Sequence, residues 1–135
     1  MPDMQRDDNI NLTFPINAAY VSSARLTASS IANRMNFDID EIEDIKTAVS
    51  ESCTYIIKTL PAAEQGNFFE IMFHLKSNEM SIKIKAHGKP EHSLEDGEMS
   101  MKVVKALVDE LDITVNDEDG IIINILKTHK DSIFS

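Results

Sequence analysis

Residues 38–61 read DIDEIEDIKTAVSESCTYIIKTLP. Ile39, Ile42, Ile45, Val49, Cys53, Ile56 and Leu60 recur at spacings of three and four, which is one apolar stripe along an α-helix. The carboxylates of Asp38 and Asp40 suit a helix start, and Pro61 ends the run. A long helix with one apolar stripe must bury it against something. Upstream, Asn17 is an N-cap candidate for a helix reaching Asn36, with Ala18, Val21, Ala28, Ile31, Ala32 and Met35 at helical spacings and no Gly or Pro inside. Before it, Ile10, Leu12 and Phe14 alternate with Asn11 and Thr13, a short strand over residues 9–14 closed by Pro15. Met1 to Asp8 carry charge without periodicity and read as a flexible lead-in.

Downstream the period changes from helical to twofold. Phe69, Ile71, Phe73 and Leu75 alternate with Phe68, Glu70, Met72, His74 and Lys76. A turn at residues 77–79 follows, and Ile82 and Ile84 then alternate with Lys83 and Lys85, so these two runs predict an antiparallel hairpin. Residues 87–97 form a polar loop. Met101, Val104, Leu107, Val108 and Leu111 predict a third helix from about Met99 to Glu110. Residues 113–115 and 121–126 predict a closing hairpin across the turn 116–120, its last strand apolar enough to be central. Three amphipathic helices and these strands imply an α+β fold, a two-layer sandwich with the helices on one face of a mostly antiparallel, mixed sheet. Residues 9–135 then form a single domain. The other sheet face would show Phe68, Met72 and His74, a patch suited to a partner or dimer contact.

The composition supports one domain and excludes several functions. A chain of 135 residues hides about two-thirds of its unfolded surface, enough for a core without disulfide or metal staples. Its single cysteine, Cys53, builds no disulfide framework and reads as a small buried hydrophobe, so a reducing cytoplasm is the expected setting. No apolar run approaches the ~20 residues a membrane helix needs. The net charge of −10 repels a phosphate backbone, which argues against direct nucleic-acid binding. His87, Glu91, His92, Glu95 and Asp96 share one loop, but their spacing matches no strong ligand motif, and a solvated acidic loop is the preferred reading, with no metal site.

The run FPINAAYVSSARLTASSIANRMNFDIDEIEDIKTAVSESCT, residues 14–54, followed by MKVVKALVDELDI, residues 101–113, resembles the anti-sigma-factor serine kinases. These are the small switch kinases of bacterial stress and sporulation responses in the GHKL, or histidine kinase-like, ATPase superfamily. The resemblance spans nearly the whole chain and implies a helix layer on a sheet, with ATP held between the helices and a mobile lid. It also implies a cytoplasmic homodimer that sequesters a sigma factor and is displaced by an antagonist protein that it can phosphorylate on serine. On the second helix the family carries a Glu and, four residues on, an Asn, hence on one face. The Glu prepares the attacking hydroxyl and the Asn gives Mg²⁺ an oxygen. Glu51 stands at the first position and Tyr55 at the second, where a neutral phenol is a poor ligand for a hard cation. The family's Asp-x-Gly, whose carboxylate accepts from the adenine amino group, is matched by Ala86-His87-Gly88. Its glycine-rich lid is matched by Gly97-Glu98-Met99-Ser100. Gly97 keeps the first glycine, Ser100 replaces a later one, and Glu98 brings negative charge to where phosphates would sit.

These departures lead to three expectations. In the first, the chain is an anti-sigma-factor-like regulatory binding protein with impaired or lost ATP and Mg²⁺ binding, and Tyr55 fills space that a nucleotide would occupy. In the second it is an active ATP-dependent serine-protein kinase that phosphorylates an antagonist, with Glu51 as base. In the third it is a small-ligand sensor gated by the loop 88–97.

Overall fold

A computed structural model describes residues 7–60, 67–88, 98–116 and 120–130. The chain begins with strand β1 (Asp7–Pro15). Asn17 follows it, its side chain accepting from the Ala19 amide at 2.8 Å, which caps a single 3-10 turn over Ala18–Tyr20. That turn leads into helix α1 (Val21–Arg34), so the cap residue read from sequence is correct while the α-helix proper starts four residues later. Helix α2 (Ile39–Thr59) opens with a complete capping box. The Glu41 amide donates to Asp38 Oδ1 at 2.8 Å, and the Asp38 amide donates to Glu41 Oε1 at 2.9 Å. Two orphan amides of the first turn are thereby satisfied reciprocally.

Strands β2 (Phe68–Lys76) and β3 (Glu79–Ala86), helix α3 (Glu98–Leu107), and strands β4 (Glu110–Asn116) and β5 (Gly120–Thr128) complete the order. The five strands are arranged β1-β2-β3-β5-β4, and all four ladders are antiparallel, so the sheet is not mixed. The register lines up apolar side chains across the whole sheet. One row runs Leu12, Ile71, Ile84, Ile123, Ile113, and the next runs Ile10, Phe73, Ile82, Ile125, Leu111. The inner members of these rows are fully buried under the helices, while those on the two edge strands are partly buried. α2 packs against both α1 and α3 and reaches β3 and β5 beneath it. The result is the two-layer α+β sandwich with its helices on one face. Among the described residues no helix is long and apolar enough to cross a membrane.

Two boundaries differ from the sequence reading for tertiary reasons. Asp7 and Asp8, placed in the lead-in, belong to β1 and pair with Lys76 and Leu75, and the Asp7 carboxylate lies 2.6 Å from His74 Nε2. The third helix ends at Leu107 rather than Glu110. There the Lys127 ammonium donates to the Leu107 carbonyl at 2.6 Å, the Asp109 amide donates to the Leu126 carbonyl at 2.9 Å, and Leu111 turns into the sheet opposite Ile125. The lead-in read over residues 1–6 and the turn read at residues 117–119 lie outside the described residues, as do residues 61–66. On the helix-free face Phe68 is about half exposed and Met72 half-buried, but His74 is engaged by Asp7, so the expected apolar patch is mixed with polar groups.

Ser52 sits in this core fully buried, and its hydroxyl has no hydrogen-bond partner among the described residues. A buried, unsatisfied hydroxyl costs about 1–3 kcal/mol. Ser52→Ala is therefore expected to unfold at the same temperature or up to a few degrees higher. A thermal melt showing a loss of several degrees would mean the hydroxyl is satisfied.

Candidate functional site

The candidate site is assembled from one flank of α2, the end of β3 and the first turns of α3. At 100° per residue, Asp44, Glu51 and Tyr55 fall on one flank of α2. That flank borders α3, because Lys127 Nζ donates both to Asp44 Oδ2, at 3.1 Å, and to the carbonyl of Leu107, the last residue of α3. Lys127 is the polar end of an otherwise apolar row on β5 and is itself buried. A single ammonium thus joins β5, α2 and the C-terminus of α3, where the helix carbonyls favour a cation.

Glu51 is half-buried on this flank. One turn on, the Tyr55 side chain is 1% exposed and ranks among the largest fully buried side chains. Burial pushes its phenol above the usual tyrosine range, with a side-chain hydrogen bond to Thr59 acting in the opposite direction. The ring is therefore neutral at physiological pH. Cys53 lies in the core, its thiol pushed up to about 12 by burial, which makes it inert as a nucleophile.

At the end of β3, the Ala86 methyl is fully buried. Gly88 follows with φ of 143°, a region that glycine alone occupies readily. Two contacts from other elements fix this corner. Asn67 Nδ2 donates to the His87 carbonyl at 3.4 Å, and Gly120 at the start of β5 is pressed against the Ala86 carbonyl. His87 Nε2 lies 3.2 Å from Glu70 Oε2, an exposed pair of the kind that contributes little to stability. On α3, Ser100 is buried and Met101 packs into the core, while Met99 points outward at 72% exposure.

The structure thus places Glu51 and Tyr55 on the α3-bordering flank of α2, and places Ala86 and Gly88 at the end of β3, a strand that α2 contacts. Gly97 lies outside the described residues, together with Glu91, His92, Glu95, Asp96 and the rest of the segment 89–97 that was read as a gate. Among the described residues no group of three His, Cys, Asp or Glu side chains gathers as a cation site would need. Three supports of the site escape sequence reasoning, namely Lys127 with Asp44, Asn67 on His87, and Gly120 behind Ala86. Only Lys127, a lone cation within an apolar strand, left a trace in the pattern.

The comparisons with known proteins agree with this fold. The histidine kinase-like ATPase domain matches residues 14–127. The serine-protein kinase RsbW of Halalkalibacterium halodurans is 28% identical to the chain, the alignment covering 92% of this chain and 85% of that protein. The proteins of the same name from Bacillus thuringiensis strain Al Hakam and Bacillus cereus strain AH820 are each 30% identical, covering 92% of this chain and 87% of theirs. With its helix layer, five-stranded antiparallel sheet and this breadth of similarity, the chain belongs to the histidine kinase-like ATPase domain family, among relatives of the serine-protein kinase RsbW.

Proposed function

We propose that the protein is an anti-sigma-factor-like regulatory binding protein of a bacterial partner-switching pathway, in which binding of ATP and Mg²⁺ in the family's manner is weakened or lost. The observation that carries this reading is the burial of Tyr55. Where the resemblance calls for an amide oxygen directed at a metal, this chain has a neutral aromatic ring folded into its core. Ala86, likewise buried, has no carboxylate for an adenine amino group, and losing such a partner lowers affinity by about 1–3 kcal/mol, up to a hundredfold. The residues present therefore do not fit a magnesium nucleotide held in that way. The partner is a sigma factor, an antagonist protein or both, the acting species is a homodimer, and the setting is the cytoplasm.

A second reading, an active serine-protein kinase, is supported by Glu51, which keeps the base position on the flank facing α3, and by the name its relatives carry. Thermal melts with and without millimolar MgATP or MgADP separate the two. A ligand at a hundred times its dissociation constant adds about 2.7 kcal/mol, roughly 8 °C or more at this chain length. The first reading predicts a shift below about 2 °C. It also predicts that Tyr55→Asn, Ala86→Asp and Ser100→Gly combined raise nucleotide affinity at least tenfold. A large Mg²⁺-dependent rise in the unaltered protein, with transfer of labelled phosphate to an antagonist, would establish the kinase reading in its place.

A further inference from the structure

The two edges of the sheet are not equivalent. β1 carries Asp7 and Asp8 at one end and Pro15, which has no N–H, at the other, which are devices that discourage strand addition. β4 forms the opposite edge and pairs only with β5 among the described residues. It contains no proline, glycine or lysine across ELDITVN. Leu111, Ile113 and Val115 stay only partly buried toward the helix side, whereas Glu110, Asp112 and Thr114 are exposed on the helix-free face. Beside this edge runs a cleft of about 260 Å³ between α3 and β4, lined by Met101, Lys102, Lys105, Leu111, Asp112 and Ile113.

We propose that the β4 edge is a docking site for an extended segment of a partner protein, which adds to the sheet as a sixth strand. Its alternate side chains would be apolar toward α3 and basic toward the helix-free face. The backbone groups along the β4 edge supply the ladder, and alternate pockets supply the selectivity, as in strand addition generally. Charge sets which face turns which way. Lys105 borders the cleft on the α3 side and disfavours a basic row there, while Glu110 and Asp112 line a hollow on the helix-free face and attract one. The apolar row lies beside Met101 and completes the burial of Leu111 and Ile113. A second copy of this chain fits less well, because an antiparallel pair centred on Ile113 sets Asp112 diagonal to Asp112, within reach of like-charge repulsion. The site is separate from the Glu51–Tyr55 flank and holds whether or not a nucleotide binds.

The test uses the full chain and a capped octapeptide alternating lysine and valine, with a control of the same composition in two blocks. Backbone amide hydrogen exchange is followed by NMR. The alternating peptide is expected to bind at least tenfold tighter than the block peptide and to slow exchange at β4 amides by tenfold or more. Asp112→Lys, at an exposed position that leaves the fold intact, is expected to weaken it at least fivefold. Equal binding of the two peptides would overturn the proposal, as would protection confined to β1. So would β4 amides already protected in the free protein and insensitive to peptide, since the edge would then be occupied by a second copy or by the chain itself.

Discussion

Gly120→Ala is expected to destabilise the protein by about 3–5 kcal/mol, a large fraction of the roughly 5–15 kcal/mol that holds a domain folded. Gly120 has φ of +78°, where an L side chain is strained by about 1–3 kcal/mol. An added Cβ would also stand 2.2 Å from the Ala86 carbonyl oxygen, 3.0 Å from His87 Cα and 3.1 Å from the Gly88 nitrogen. All three are backbone atoms, so no rotamer change relieves the contact, and β5 must separate from β3 at their shared end. Overpacking of this kind adds roughly 1–3 kcal/mol. The melting temperature should fall by roughly 10 °C or more. Because the displaced atoms are the corner Ala86-His87-Gly88, the candidate site loses its sheet-side wall along with the stability. A fall of less than 3 °C would show that this corner yields easily, and the close approach of Gly120 would then have no structural weight.

Glu41→Ala is expected to cost about 2–4 kcal/mol, from hydrogen bonds to a charged group and a lost helix cap. Glu41 is 7% exposed, and its carboxylate has three donors. The Asp38 amide and His129 Nδ1 meet Oε1 at 2.9 and 2.7 Å, and the Lys130 amide meets Oε2 at 2.8 Å. Burial by itself would raise its pKa, but the Lys130 and Asp38 amides and His129 outweigh burial and hold it below the ordinary glutamate value of 4.5. A depressed native pKa means that the carboxylate's contribution is fully present above the unfolded value and is lost as pH falls through the native one. Stability should therefore decline below about pH 4.5, in part through this group. Glu41→Gln, which keeps the shape but not the charge, should lie between wild type and Glu41→Ala at pH 7 and show a flatter decline in acid. Melting temperature against pH for the three proteins is the measurement. Parallel curves would separate Glu41 from the acid transition.

Local periodicity made the layers of this fold legible. The stripe Ile45, Val49, Cys53 and Ile56 placed α2, and its cap at Asp38 was visible in the acidic start. The alternation from Phe69 to Leu75 placed β2 and named its buried row correctly. Strand order was not legible, because β3 and β5 pair across α3 and β4, and nothing within either strand names its neighbour. The end of α3 was misplaced for the same reason, since Leu111 fits a helical stripe and its tertiary partner Ile125 overrides that fit. At the candidate site, Glu51, Tyr55, Ala86 and Ser100 are named because the resemblance puts them at the family's motif positions, and no periodicity marks them. The groups that hold the site in place could not be named. Lys127 meets Asp44 across 83 residues of chain and Asn67 meets the His87 carbonyl across 20, and neither pair has a periodicity to betray it.

The three-way junction at Lys127 also bears on how this chain can change over evolutionary time. Removing one member of a largely buried ion pair strands the other, whereas replacing both with packed apolar residues can be neutral or better. Asp44 keeps about a third of its side-chain surface in water and can recover some hydration alone, but Lys127 and the Leu107 carbonyl cannot do so as readily. Positions 44 and 127 therefore form a single unit of inheritance. A lineage that loses the aspartate first leaves a buried ammonium with only the Leu107 carbonyl to meet it, and a lineage that loses the lysine first leaves Asp44 to water but frees the end of α3. Either single step is costly, so the two positions are expected to change together.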